Sequence, residues 1–181
     1  MDAYFEFLYV PAPDTAFADA HKLRPGEKLV WQRGTLSVER YWRLTYEIDA
    51  RWTLDSAAEQ CRALVTDAVR RQRVSDVPLG AFLSGGMDSS SVVATLSAMS
   101  NRPIKTFTIG FEDRQTDELA YARAIAKKFG TDHAEEIVRP DAIVLAGALM
   151  QHFGEPFADS SAIPTWYVSR LARRSVTVAL S

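Results

Sequence analysis

The sequence predicts an α/β protein in which a parallel sheet carries helices on both faces. Short apolar segments of strand length alternate with longer segments whose apolar residues recur at helical spacing. Strands that alternate with helices form parallel sheets, and such sheets are covered on both sides. A glycine-rich turn, Ser84–Ser90, joins one apolar segment to the start of a helix. We expect the sheet to be incomplete and to be preceded by a short β-rich segment.

Length and composition exclude several classes of protein. A chain of 181 residues holds one moderate domain, or one domain and part of another. The net charge of −2 and the dispersed basic residues argue against a nucleic-acid partner. Cys61 is the only cysteine, so a disulfide framework is excluded. No run reaches the roughly 18 apolar residues of a membrane span, and the first residues do not form a signal peptide. We therefore expect a cytoplasmic protein without a membrane partner.

Residues 1–45 are richer in aromatic side chains than the residues that follow. The segments Glu27–Gln32 and Thr35–Glu39 alternate apolar and polar residues and flank Arg33-Gly34, which predicts a β-hairpin. This part contains no catalytic cluster and is too short for an independent domain. Residues 46–53 are predicted to be a connection.

A helix is predicted after Thr53, which suits the N-cap position, with Asp55 in the first turn. Apolar residues keep helical spacing for about four turns. Cys61 lies in the middle of this apolar stripe, so we expect a small buried side chain and not a nucleophile. The helix ends in a basic cluster formed by Arg70, Arg71 and Arg73. We expect these side chains to interact favourably with the negative end of the helix dipole, and a phosphate-binding patch is the alternative.

The remaining segments alternate between strands and helices. In chain order they are a strand at Pro78–Leu83, a helix to about residue 101, a strand at Ile104–Phe111, a helix from about Asp117 to Phe129 ended by Gly130, a strand at Ala134–Val138, a helix from Pro140, a loop at Glu155–Ser161, a helix from Ile163 to about Arg174, and a strand at Val176–Leu180. Ligands of parallel sheets bind beyond the carboxyl ends of the strands. The loops at Ser84–Ser90, Ile109–Phe111 and Ser181 are therefore expected to converge on one rim.

The turn after the strand at Pro78–Leu83 has the chemistry of an anion site. Its glycines let backbone N–H groups approach a phosphate, and the helix N-terminus adds roughly half a positive charge. Four serine hydroxyls can donate further hydrogen bonds: Ser84, Ser89, Ser90 and Ser91. The turn lacks the lysine of a Walker A loop and does not fit the G-x-G-x-x-G pattern. Asp88 suits a Mg²⁺ ligand beside phosphates, and a helix N-cap is the alternative.

The stretch Leu83–Ser91 resembles the pyrophosphate-binding loop of the N-type ATP pyrophosphatases. Other segments resemble one branch of that superfamily, the glutamine-dependent (B-type) asparagine synthetases. In the second half of the chain these segments are Phe107–Phe111 followed by Asp117-Glu118, Gly130–Glu135, Glu155–Pro164 and Val176–Ser181. In the first half they are Val10–Asp14, Lys22–Gly26 and Arg40–Trp42, which resemble the last strands of the family's glutaminase domain. The resemblance covers nearly the whole chain.

The resemblance implies a two-domain enzyme that amidates aspartate with ATP. One domain releases ammonia from glutamine. In the other, the aspartate carboxylate attacks the α-phosphorus of ATP to give β-aspartyl-AMP and pyrophosphate, and ammonia then displaces AMP. Residues 1–45 would be the last strands of the glutaminase domain, 46–53 a linker and 54–181 the N-terminal part of the synthetase domain. The implied partners are ATP, Mg²⁺, aspartate or a similar carboxylate, and ammonia from glutamine; a homodimer stays open.

The family's functional residues carry over to the matching positions of this sequence. Those that would cradle the pyrophosphate are Ser84, Gly85, Gly86, Ser89 and Ser90. Asp88 would hold Mg²⁺ and is the one residue to which the resemblance gives a catalytic part. The adenosine site would be lined by Phe82, Leu83, Ile109 and Gly110, and Ser181 would begin a second nucleotide loop.

The chain departs from the family pattern at several positions. It lacks the N-terminal cysteine of the glutaminase domain, and it stops at Ser181, before a carboxylate-rich loop of the family. We therefore expect a fragment that is inactive alone. His133-Ala134-Glu135 stands where the family often has His-His-Glu, and His21 and His152 are expected to be surface or structural residues. Four carboxylates could assist the site or cap helices: Asp117, Glu118, Glu155 and Asp159.

Two other functions stay open at this point. A relative of the same superfamily could amidate or cyclise another carboxylate, because the residues that recognise the carboxylate lie mostly outside this chain. A nucleotide-binding module without catalysis is the second alternative.

Overall fold

The computed structural model describes residues 2–49, 51–112, 118–139 and 141–181. In chain order the elements within these ranges are α1 (Asp2–Phe7), β1 (Glu27–Gln32), β2 (Thr35–Arg40), α2 (Leu54–Gln72), β3 (Leu79–Phe82), α3 (Met87–Ala98), β4 (Lys105–Phe111), α4 (Leu119–Phe129), β5 (Asp132–Val138), α5 (Ala142–Phe153), α6 (Ala162–Arg173) and β6 (Val178–Leu180). They fall into two compact units, residues 1–50 with 142–160 and residues 51–141 with 161–181. No helix within the described ranges is long and apolar enough to cross a membrane.

The second unit is built on a four-stranded sheet of order β5-β4-β3-β6. Every neighbouring pair of strands in this sheet is parallel. Phe82 of β3 lies opposite Phe107 of β4, and Ala81 of β3 lies opposite Leu180 of β6. The predicted α/β class with a parallel sheet is therefore confirmed.

Helices cover both faces of this sheet, as predicted. The core between the sheet and α2, α3 and α4 contains Val69, Ala81, Leu83, Val93, Leu96, Ile104, Ala122 and Ala126. The core between the sheet and α6 contains Phe107, Leu171, Ala172 and Val176, with Phe82 and Ile109 packed against it. Successive strand residues point to opposite faces, which is why Ala81 and Leu83 belong to the first core and Phe82 to the second.

Helix α2 begins as predicted but is less buried than predicted. Thr53 and Ser56 form a capping box: Thr53 Oγ1 accepts from the Ser56 N–H at 3.2 Å, and Ser56 Oγ accepts from the Thr53 N–H at 3.0 Å. Cys61 is exposed, so the prediction of a buried side chain there is wrong. The helix reaches the core only near its C-terminal end, through Val65 and Val69. The helical spacing of small apolar residues does not show which part of a helix is packed against the rest of the protein.

Most other boundaries agree with the sequence to within about two residues, the spread expected for element ends. Strand β6 is shorter than predicted because Val176 is still bonded to the end of α6: its N–H donates to the Ala172 carbonyl at 2.9 Å. Gly130 ends α4 in the left-handed region, with φ 63°, as predicted. The predicted helix starts at Asp117 and Pro140 lie outside the described residues.

The first unit contains the predicted hairpin and one helix that the sequence did not predict. Strands β1 and β2 are antiparallel, with Trp31 opposite Leu36. Arg33 and Gly34 have φ values of 51° and 79°, as a two-residue turn of type I′ requires. Helix α1 was missed because its six residues are too few to show a helical period.

The loop after α5 is bound to the N-terminal segment within this first unit. The Ala158 N–H donates to the Leu8 carbonyl at 2.8 Å, and Tyr9 and Phe157 form an isolated β-bridge. Glu155 forms an ion pair with Lys22, and its carboxylate also accepts from the Ala16 N–H at 3.3 Å. The hydrogen bond from Lys22 lowers the pKa of Glu155 below its ordinary value of 4.5.

The ion pair between Lys22 and Glu155 should make the first unit sensitive to acid. A lowered pKa in the folded state stabilises the fold above the ordinary glutamate pKa, and this stabilisation is lost as the pH falls through the folded-state pKa. Glu155→Gln should therefore lower the urea midpoint at pH 7, and the difference from wild type should shrink as the pH falls below about 4.5. Tryptophan emission during urea unfolding at several pH values measures this effect.

Glu39→Gln is the matched control, because Glu39 pairs with Lys28 at 3.1 Å on the exposed hairpin. Exposed ion pairs contribute little to stability, so the urea midpoint of this variant should stay near that of wild type. Equal midpoints for wild type and Glu155→Gln at pH 7 would contradict the role given to Glu155.

Candidate functional site

Three neighbouring strands of the second unit end where the sequence places its candidate loops. Strand β3 ends at Phe82, and the turn before α3 follows. Strand β6 ends at Leu180, opposite Ala81, and is followed by Ser181. Strand β4 continues past the partner of Phe82 to Phe111. Because the strands are parallel, these carboxyl ends lie along one rim of the sheet.

The turn between β3 and α3 requires glycine at position 85. Gly85 has φ 85°, in the region that residues with a side chain rarely adopt. A Cβ atom there would lie 2.6 Å from Cβ of Tyr121 and 2.7 Å from the backbone nitrogen of Ala122. Gly110 is similarly crowded, since a Cβ would lie 2.4 Å from Cδ1 of Leu119. The first turn of α4 therefore packs directly on both candidate loops.

Two of the predicted cradle hydroxyls are used inside the turn. The Ser84 N–H donates to Ser89 Oγ at 3.3 Å, the Gly86 N–H donates to Ser84 Oγ at 3.2 Å, and the two Oγ atoms lie 2.9 Å apart. The Ser90 hydroxyl is buried and has no hydrogen-bond partner among the described residues. The serines thus shape the turn from within.

Four backbone N–H groups of the turn have no protein acceptor within the part of the chain that the structure describes. They belong to Gly85, Met87, Asp88 and Ser89. The first intrahelical bond of α3 runs from the Ser90 N–H to the Gly86 carbonyl at 3.0 Å. Of the four donors, Met87, Asp88 and Ser89 are among those that every helix leaves unsatisfied at its N-terminus, where the helix dipole also favours an anion, and Gly85 directly precedes the N-cap.

Asp88 is exposed in the first turn of α3 and does not cap the helix. The N-cap residue is Gly86, with φ −67°, and no side chain caps this end. The alternative that Asp88 is an N-cap is therefore wrong. Asp88 belongs to the first turn of α3, where a negative side chain is favoured by the helix dipole.

A cleft of about 200 Å³ opens beside the turn. Three of the four residues predicted for the adenosine site line it: Phe82, Leu83 and Ile109. Gly110 is buried and does not line the cleft, and neither does the exposed Ser181. The wall of the cleft is largely apolar, which suits the flat ring of a nucleotide base. The volume of the cleft is below the roughly 300–1,000 Å³ of sites that enclose a whole small molecule.

The structure adds residues to this cleft that the sequence did not single out. They are Phe107, Thr108, Pro164, Thr165 and Val168; Phe111, from the predicted rim loop Ile109–Phe111, also lines the cleft. Three of them come from the first turns of α6, which lies on the opposite face from α3. Pro164 lies in the first turn of the helix predicted from Ile163, but only the tertiary packing shows that this turn reaches the rim. Glu118, one of the carboxylates considered, also lines the cleft.

Other candidate residues lie away from the turn. His133 is at the second position of β5, at the amino end of the strands, where its Nδ1 lies 2.9 Å from Thr106 Oγ1. Burial lowers the pKa of His133, and Glu135 is held by Arg123 through two hydrogen bonds of 2.7 and 2.6 Å. Glu155 and Asp159 belong to the first unit, and His21 and His152 are exposed. Asp117 lies outside the described residues.

The chain belongs to the asparagine synthase family. The model of that family, described as asparagine synthase, matches residues 60–181. The chain is similar to asparagine synthetase (glutamine-hydrolyzing) 1 of Bacillus subtilis, with 31% identity over all of this chain and 29% of the relative. It is also similar to a protein of Methanocaldococcus jannaschii named "Putative asparagine synthetase (glutamine-hydrolyzing) 2", with 33% identity over all of this chain and 36% of that relative. The family expected from the sequence motifs is thus confirmed, and the chain spans about a third of the length of these two relatives.

Substitution at Gly85 should destabilise the second unit far more than substitution at Gly86. Gly85→Ala combines a positive φ with three contacts under 3 Å, so we expect a loss of about 2–4 kcal/mol in the free energy of unfolding. Gly86→Ala has φ −67° and a Cβ contact of 3.2 Å to Ser84 Oγ, so its stability should stay within about 1 kcal/mol of wild type. Urea unfolding followed by circular dichroism gives both values. Equal effects at the two positions would mean that the turn does not rest on α4 as described.

Proposed function

We propose that this chain is the part of a glutamine-dependent asparagine synthetase that holds ATP. The observation that carries this proposal is the set of N–H groups of Gly85, Met87, Asp88 and Ser89, which have no acceptor among the described residues and lie beside a largely apolar cleft on the same rim. Such donors suit the β- and γ-phosphates of a nucleotide, and the cleft suits its base. Family membership and the names of the relatives support ATP as the nucleotide.

The proposed reaction is the activation of aspartate and its amidation by ammonia. The aspartate carboxylate attacks the α-phosphorus, β-aspartyl-AMP forms and pyrophosphate leaves; ammonia then displaces AMP. What the turn contributes is stabilisation of the leaving pyrophosphate by preorganised donors, which cost no reorganisation during the reaction. The cleft residues Phe82, Leu83 and Ile109 would hold the adenosine, so that the α-phosphorus is presented in a fixed position.

Magnesium fits this site as an ion that arrives with the nucleotide. No group of three or more His, Cys, Asp or Glu side chains that could enclose a metal occurs in the part of the chain that the structure describes. Mg²⁺ bound to nucleotides takes one or two carboxylates and completes its shell with phosphate oxygens and water. The exposed carboxylate of Asp88 would be that ligand. When bound, the ion would neutralise charge on the phosphates.

We further propose the domain assignment that the motifs suggest. Residues 1–45 would be the last strands of a glutaminase domain, 46–53 a linker and 54–181 the N-terminal part of the synthetase domain. Gly110 and Ser181 remain part of the proposed nucleotide site, Gly110 through backbone packing and Ser181 as the start of a second loop. Glutamine would be the source of ammonia, as the names of the relatives indicate.

The acceptor carboxylate can be tested directly on a protein of the relatives' length. Pyrophosphate release with ATP, Mg²⁺ and ammonium should depend on aspartate. Replacement of aspartate by other carboxylic acids separates an asparagine synthetase from an enzyme that amidates or cyclises a different acid. Release that responds equally to another acid would redirect the proposal to that substrate.

Asp88→Asn should weaken the binding of ATP in the presence of Mg²⁺ by about ten-fold and should change binding little in its absence. The substitution removes one charged metal ligand, and a hydrogen bond or metal contact of a charged group is worth roughly 1.5–3 kcal/mol. Isothermal titration calorimetry with and without Mg²⁺ measures both affinities on the 181-residue chain.

Asp55→Asn is the matched control for this experiment. Asp55 is the second residue of α2, as Asp88 is of α3, so both carboxylates interact with a helix dipole at the same position. The control should lose a similar amount of stability and keep the wild-type affinity for ATP. An equal loss of affinity in both variants, or none in Asp88→Asn, would contradict the role of Asp88.

A further inference from the structure

Leu83, the last residue before the turn, is fixed to strand β4 by both of its backbone polar groups. Its N–H donates to the Phe107 carbonyl at 2.9 Å. Its carbonyl accepts a hydrogen bond from the hydroxyl of Thr108. In a regular parallel ladder the second bond would come from a backbone N–H of β4. Among the described residues, no backbone N–H outside the regular ladders donates to this carbonyl, so the Thr108 side chain takes that place where the chain leaves the sheet.

Thr108 is buried, with 4% of its surface exposed. A hydroxyl in such a position costs stability unless it is hydrogen-bonded, and the Leu83 carbonyl is its acceptor. Thr106, two residues earlier on the same face of β4, is equally buried, but its hydroxyl bonds Thr131 and His133 at the amino end of the strands. Both threonines are therefore buried, and they differ in the hydrogen-bond partners of their hydroxyls.

The bond from Thr108 completes the fixation of the residue that leads into the turn. The Leu83 side chain is 1% exposed in the core with Val93 and Leu96. With its N–H, carbonyl and side chain all held, Leu83 gives the turn a fixed starting point. Gly85, two residues later, is packed against α4. A turn held at both points keeps its N–H groups in place before a ligand arrives, which lowers the entropy cost of binding.

We propose that Thr108 is a positioning residue for the phosphate-binding turn. Its hydroxyl fixes the Leu83 carbonyl and thereby sets the direction in which residues 84–90 leave the sheet. The inference rests on the proposed function of that turn, because what is positioned is the set of donors for the nucleotide's phosphates. Thr108 does not itself touch the phosphates in this account.

The decisive comparison uses Thr108→Val, Thr108→Ser and Thr106→Val in the 181-residue chain. Thr108→Val keeps the shape of the side chain and removes the hydroxyl, so the affinity for ATP with Mg²⁺ should fall about three- to ten-fold. Thr108→Ser restores the hydroxyl and should bind within about two-fold of wild type. Thr106→Val should also bind within about two-fold, although its thermal midpoint should fall as far as that of Thr108→Val. Thr108→Ala, which removes the hydroxyl without adding bulk, replaces Thr108→Val should that variant not fold.

A second measurement separates a failure of this inference from a failure of the proposed function. Backbone ¹⁵N order parameters of residues 84–90 report the rigidity of the turn without any nucleotide. They should fall in Thr108→Val and stay unchanged in Thr106→Val. If wild type binds no ATP, the proposed function fails, and the order parameters alone decide the role of Thr108. Unchanged order parameters in Thr108→Val, or an equal loss of affinity in both valine variants, would overturn the inference.

Discussion

The close packing of Gly85 on the first turn of α4 is the constraint on which the candidate site depends. A backbone with φ 85° and three atoms within 3 Å of the missing Cβ position restricts the path of the turn between β3 and α3. That path places the start of α3 at the rim, and four N–H groups of the turn and of the first turn of α3 have no acceptor among the described residues. An anion-binding turn needs a backbone that can approach the anion closely and a helix N-terminus with free N–H groups. The conformation of Gly85 makes both possible.

Sequence reasoning identified the turn and its order along the chain, but not the contacts that hold it. The strand, the glycines and the apolar residues of α3 are local signals, and Gly85, Asp88 and Leu83 could be named from them. Thr108, Pro164 and the first turn of α4 come to the site from distant parts of the sequence, through packing that no local pattern contains. The predicted role of the serine hydroxyls as phosphate donors differs from their arrangement in the structure, because Ser84 and Ser89 hydrogen-bond to each other. The backbone N–H groups are then the donors that remain for a phosphate.

One error of prediction has a physical reason. Cys61 follows the helical spacing of buried residues, yet only the C-terminal part of α2 reaches the buried core. The spacing correctly indicated an amphipathic helix, but it did not show which part of that helix is buried. The compact units do not follow chain order: residues 142–160, which lie within the part of the chain that matches the family, belong to the same unit as residues 1–50. Lys22 and Glu155, whose ion pair joins two segments of that unit, are 133 positions apart in sequence, and a charge pattern does not reveal such pairs.

The central claim is that the free N–H groups at the start of α3 receive the pyrophosphate part of a nucleotide. It is tested most directly by titrating the ¹⁵N-labelled chain with magnesium pyrophosphate and following each backbone amide by two-dimensional NMR. The largest shifts are expected at Gly85, Met87, Asp88 and Ser89, with saturation at one equivalent. Shifts that are absent from these four amides, or that are largest in the first unit, would contradict the account.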